Sequence, residues 1–161
     1  MREQMHNRLL IAFLIFVAAA GAGCTSERSF VIKNGSASPI VVAYQFAPLP
    51  AKEGSAPMYA MHPPETESPE GRWNWETRWI AFPEGQATVD RQQGTVRVTL
   101  DPAQSLRVAH AFEYAGQESW DFQVRITRLT MTGAGAQLDM AGDQVRMAFV
   151  ESDGVYVLEY R

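Results

Sequence analysis

Apolar side chains recur at every second position through most of this chain, and that period constrains its fold more than any other feature. Phe30 and Ile32 point one way, with Val31 and Lys33 on the other side. Ile40, Val42, Tyr44 and Phe46 share a face, and Val96, Val98 and Leu100 alternate with Thr95, Arg97 and Thr99. Leu106, Val108, His110 and Phe112 form a further stripe. A spacing of two puts alternate side chains on opposite faces of an extended chain, so each stretch reads as a half-buried β-strand. No stretch carries the spacing of a long amphipathic helix, and there is no internal repeat. After Phe122, Val124 and Ile126 the apolar parity flips to Leu129 and Met131, which predicts a β-bulge.

Turn residues punctuate these runs at Asn34-Gly35-Ser36, Asp101-Pro102, Gly133-Ala134-Gly135-Ala136, Ala141-Gly142-Asp143 and Ser152-Asp153-Gly154. Asp-Gly favours the primed turns that match strand twist. It therefore predicts a last hairpin in which Val145, Met147 and Phe149 lie across from Val155 and Val157. About eight to ten short strands at this spacing predict an all-β fold, an antiparallel β-sandwich of immunoglobulin-like or transthyretin-like form. One region breaks the rhythm. Between Ala47 and Gly71 lie Pro48, Pro50, Pro57, Pro63, Pro64 and Pro69, six of the nine prolines. Proline cannot donate to a sheet ladder, so residues 47–71 read as a long loop, of the kind that is either functional or disordered.

The densest aromatic feature follows that loop, in Arg72-Trp73-Asn74-Trp75-Glu76-Thr77-Arg78-Trp79. In an extended chain Trp73, Trp75 and Trp79 share a face. Tryptophan combines large area, few rotatable bonds and an N–H donor, so the three rings suit either a platform for a sugar or protein partner or the closure of the core. Trp120 leads into the Phe122 stripe and reads as core. Met58-Tyr59-Ala60-Met61-His62 gathers thioethers and an imidazole of the kind that hold Cu(I), but it lacks a second His–Met pair or a cysteine. His110 lies by parity on the apolar face of its stripe and reads as a satisfied core histidine. Neither His62 nor His110 sits in a nucleophile–base–acid pattern, and no pair of acids stands out by its neighbours. The sequence thus assigns no catalytic residue, metal or cofactor, and the reading is of a non-enzymatic binding module.

The N-terminus carries the address. Met1 to Arg8 is polar and holds Arg2 and Arg8, Leu9 to Ala20 is unbroken apolar, and Gly21-Ala22-Gly23-Cys24-Thr25-Ser26 follows. Basic start, short apolar run and small residues are the parts of an export signal. The apolar run spans roughly 18 Å as a helix, against about 30 Å of bilayer core, and is too short to cross. Ala22, Gly23 and Cys24 resemble the lipobox of bacterial lipoproteins, with Gly21 where that family most often has leucine. The resemblance implies a signal peptide over 1–23, a mature single domain over 24–161, and acylation of Cys24, the only cysteine. Thr25, standing where inner-membrane lipoproteins commonly carry Asp, implies the outer membrane, with the domain facing the periplasm.

Composition narrows the partners. Against 14 Lys and Arg stand 18 Asp and Glu, a net charge of −4, and loss of the signal removes two bases and one acid. An acidic chain without a basic patch lacks the footprint of a nucleic-acid binder, and nothing in it assists attraction to anionic lipid heads. With Cys24 acylated no thiol remains for a disulfide, so the fold rests on its core. The expected partners are the membrane, through the anchor, and an envelope protein. A peptidoglycan or other glycan, held on the tryptophans, is the alternative. Residues 38–46 (SPIVVAYQF) and 106–112 (LRVAHAF), followed by Trp120, resemble strands of the outer-membrane lipoprotein of type VI secretion systems. That family is a small lipidated sandwich that docks on an inner-membrane protein.

Overall fold

A computed structural model describes residues 26–50, 53–68, 78–113, 125–152 and 155–161. These residues are mostly β, arranged in two sheets. In chain order the elements are β1 (Ser26–Asn34), β2 (Ile40–Phe46), β3 (Glu65–Glu67), β4 (Trp79–Ala81), β5 (Ala87–Asp90), β6 (Thr95–Leu100), β7 (Ser105–Glu113), β8 (Ile126–Thr132), β9 (Gln137–Ala141), the single described helix α1 (Asp143–Ala148), β10 (Val150–Ser152) and β11 (Val155–Tyr160). One sheet runs β10-β11-β1-β7-β3-β4 and the other β5-β6-β2-β8-β9. Every pairing is antiparallel except β1 with β11, which run parallel.

The alternation does what its period requires. Phe30 and Ile32 of β1 and Leu106 of β7 meet Ile40, Val42, Tyr44 and Phe46 of β2, together with Val96, Val98, Leu100, Leu129 and Met131, in one buried cluster drawn from both sheets. Each fully buried side chain of this size contributes about 1.5–3 kcal/mol relative to exposure. With no cysteine after Cys24, this cluster carries the fold.

Two bulges adjust the faces. In β8, Leu129 opposes Tyr44 and Arg128 opposes Gln45, but Ile126 opposes Phe46, so Thr127 is the extra residue. That is the bulge expected from the parity flip. The second bulge falls at Val108: Arg107 opposes Val31 and Ala109 opposes Phe30. Because one residue is added, Ala109 turns inward and His110 joins Arg107 on the outer face. His110 is half-buried there, opposite Ser29, and does not occupy the core position that its parity predicted.

The expected strand over 145–149 is also corrected. Residues 143–148 form α1, entered through Gly142 at φ 57°. Val145 and Phe149 are buried and Met147 is 78% exposed. A spacing of four brings Val145 and Phe149 to one side of a helical turn, and the same residues fit a strand because four is also even. Only residues 150–152 remain to pair with β11.

The β1–β2 connection sits at one pole, where buried Asn34 links the sheets. Its Nδ2 donates to the carbonyls of Ser38 (2.9 Å) and Leu100 (3.0 Å), and its Oδ1 accepts from Ser36 N–H (3.0 Å) and Oγ (2.7 Å). The start of β1 and the end of β2 lie at the other pole, where Phe46 N–H donates to Gly94 O and Ala47 N–H to Arg125 O. From there the described part of the proline-rich segment packs onto the domain. Leu49 N–H donates to Met58 O, Tyr59 and Met61 pack against the core, and Pro64 is buried. Tyr59 lies so close over Gly94 that a Cβ there would enter its ring, and Gly94 has φ +66°, so two constraints favour glycine.

Candidate functional site

Two surfaces gather polar side chains. The first is on the outer face of the six-stranded sheet, where β3 lies beside β7. Glu65 and Arg107 are register partners, and Arg107 Nε donates to Glu65 Oε2 at 2.8 Å while its Nη2 donates to the same oxygen. The guanidinium also lies 5.1 Å from the centre of the Trp79 ring on β4. The pairing of β3 with β4 brings Trp79 to this place, opposite Glu67. The bulge at Val108 brings in His110. Its ring meets His62, from the proline-rich segment, edge to face at 4.9 Å and 60°. Burial pushes His62 below its ordinary value of 6.5, the positive character of His110 and Arg107 lowers it further, and Glu65 opposes them. The result is a neutral imidazole beside a fixed guanidinium–carboxylate pair.

The fate of the sequence candidates follows from this geometry. Trp79 is half-buried on an edge strand, with Arg107 against its face, and so is neither an enclosed core ring nor a bare platform. Trp73, Trp75, Trp120 and Cys24 lie outside the described residues. Met58 is 68% exposed and Met61 packs on the core, so the soft ligands around His62 do not converge. Among the described residues no group of three or more His, Cys, Asp or Glu could hold a metal ion. Reading by residue missed the pairing of His62 with His110, because it needs the bulge at Val108 and the docking of a segment 48 positions away. The one signal for the Glu65–Arg107 pair is that opposite charges suit facing positions on neighbouring strands.

The second surface is on the outer face of the five-stranded sheet. A hollow of about 470 Å³ is lined by residues of β2, β5, β6 and β8, among them Ala43, Gln45, Thr88, Thr95, Arg97 and Thr130. In register across the sheet, Thr88, Arg97, Ala43 and Thr130 form one row, and Asp90, Thr95, Gln45 and Arg128 the next. The hollow exists because the outward residue at the centre is alanine, with longer side chains on either hand.

Comparison with known proteins finds no matching family model, no similar curated protein and no similar solved structure.

Proposed function

We propose that this chain is a lipid-anchored, non-catalytic binding module: an immunoglobulin-like or transthyretin-like β-sandwich over residues 24–161, acylated at Cys24 and held at the periplasmic face of the outer membrane, where it engages an envelope partner. The observation that carries the reading is how soon the fold begins. β1 starts at Ser26, two residues after Cys24. Two residues reach at most about 7 Å, so an acylated Cys24 would hold the domain against the bilayer with no spacer. Such a domain works on what passes along the membrane surface, and two or more acyl chains make its residence there effectively permanent.

The arrangement of the polar residues supports binding. Arg107 is forked onto Glu65 and capped by Trp79, and His62 and His110 face each other, so each group is held by a neighbour in a fixed position. Preorganised polar and aromatic side chains on strands favour recognition because little rotamer entropy remains to be lost on binding. The glycan alternative, made on Trp73, Trp75 and Trp79, has in its support the place of Trp79, half-buried on an edge strand.

Cys24→Ala is the test. Metabolic labelling with an alkynyl fatty acid should mark the wild type and leave the variant unlabelled, and membrane fractionation should move the variant to the soluble periplasm. A variant that remains membrane-bound and labelled would refute the anchor. Crosslinked envelopes from cells making the wild type should yield one reproducible protein adduct that the displaced variant forms poorly.

A further inference from the structure

We infer that the hollow on the five-stranded sheet binds a saccharide bearing a single carboxylate. Its volume, about 470 Å³, lies in the range of small-molecule sites. Its floor is Ala43, whose methyl leaves room for a ring between Arg97 on one side and Thr130 on the other. Threonine methyls and the alanine offer carbon to the C–H face of a pyranose. The hydroxyls of Thr88 and Thr95 and the amide of Gln45 offer donors and acceptors to its hydroxyl groups, and Thr130 Oγ1, which donates to Ala43 O at 3.4 Å, offers an acceptor.

The charges select the ligand's charge. Arg128 donates to both carboxylate oxygens of Asp139, at 3.0 and 2.6 Å, and is thereby matched. The Oδ1 of Asp90 accepts from the N–H groups of Gln92 (2.8 Å) and Gln93 (3.0 Å), which holds the carboxylate at the rim of the hollow. Arg97 is exposed and has no ion pair or side-chain hydrogen bond among the described residues. One unmatched guanidinium faces the hollow, in a chain whose net charge is −4. A guanidinium fork fits a carboxylate with two parallel hydrogen bonds. A single cation beside the Asp90 carboxylate matches a monoanion better than a phosphate dianion. Asp90, in the row next to Arg97, is an acceptor for ligand hydroxyls. A neutral sugar would leave Arg97 unmatched, and a simple carboxylate would leave the hydroxyl and amide rim unused.

This inference shares with the proposed function only the premise of a binding module and does not depend on the anchor, so the Cys24→Ala experiment and the following titration can fail separately. The full chain, isotopically labelled and held in a non-sugar detergent, is titrated with D-glucuronate and followed by its amide NMR signals. Glucuronate should shift the amides of Ala43, Thr88, Arg97 and Thr130. D-glucose and acetate should each bind about tenfold more weakly or worse. Arg97→Gln should weaken glucuronate by about tenfold with its thermal midpoint preserved, since this exposed side chain supports no packing. Ala43→Phe should fill the hollow and abolish the shifts. The inference is overturned if glucuronate at about 20 mM shifts none of these amides. It is also overturned if glucose or acetate binds as well as glucuronate, if inorganic phosphate binds better, or if Arg97→Gln binds glucuronate as the wild type does.

Discussion

Tyr44 is the residue at which chemistry and packing disagree. Its ring is buried in the core, edge to face with Phe46 at 5.6 Å, and its hydroxyl has no hydrogen-bond partner among the described residues. Burial alone pushes the phenol far above its ordinary value, so the group stays neutral at neutral pH. A buried hydroxyl without a partner loses its hydration and gains nothing in return. Tyr44→Phe keeps the ring, its edge-to-face contact and nearly all of its volume. The expected result is a gain of about 1 kcal/mol in urea unfolding. A loss of stability of that size would mean that the hydroxyl is satisfied in solution. Asn34 is the contrasting case, a buried polar side chain with all its groups in use, and it marks where the two sheets are tied.

At the scale of elements, the instructive comparison is between the two bulges. The one at Thr127 is legible because it leaves a mark on the hydrophobic pattern, with Ile126 and Leu129 three apart where a regular strand would place them two or four apart. The one at Val108 leaves none, because Leu106, Val108, His110 and Phe112 alternate cleanly and the inserted residue is itself apolar. Helix α1 was hidden for a related reason, since Val145 and Phe149 satisfy both periods. The parallel pairing of β11 with β1 joins the first and last described strands, and no local pattern encodes it. The all-β class was therefore written in the alternation, while the His62–His110 contact depended on a bulge and a docked segment that leave no local trace. That contact has a consequence for the segment it fastens. His62 is held below its ordinary 6.5 by burial, then by His110 and Arg107. With a depressed folded value, His62 is neutral in both states above about pH 6.5, and stability there is unaffected. As pH falls through 6.5 the unfolded chain takes up the proton before the folded one, so stability declines below that point and levels off only below the folded value. Urea midpoints measured from pH 7.5 to 5.5, above the carboxylate range, should fall with acid in the wild type and fall less in His62→Gln. Parallel profiles for the two proteins would remove His62 as the cause.

At the scale of the whole molecule, the proposed anchor gives the domain a direction. The start of β1 shares a pole with the end of β2, the β5–β6 turn and the start of β8, which two hydrogen bonds, Phe46 N–H to Gly94 O and Ala47 N–H to Arg125 O, hold together. The β1–β2 connection lies at the opposite pole, fastened through Asn34. The β3–β4 pair also reaches toward that far pole, where Ser68 N–H donates to Arg78 O at 2.8 Å. On the proposed anchor, a tether of about 7 Å would leave the near pole no freedom to turn away from the lipid. Gln92 and Ala37, both exposed, report on the two ends. With a photo-crosslinking residue at Gln92, irradiation of intact envelopes should give mainly lipid adducts, and at Ala37 mainly protein adducts. Cys24→Ala should erase the difference, because the freed domain samples all orientations. Lipid adducts at Ala37 and protein adducts at Gln92 in the anchored protein would mean that the far pole faces the bilayer. The partner would then be engaged from the near pole, and the short tether would not set the orientation.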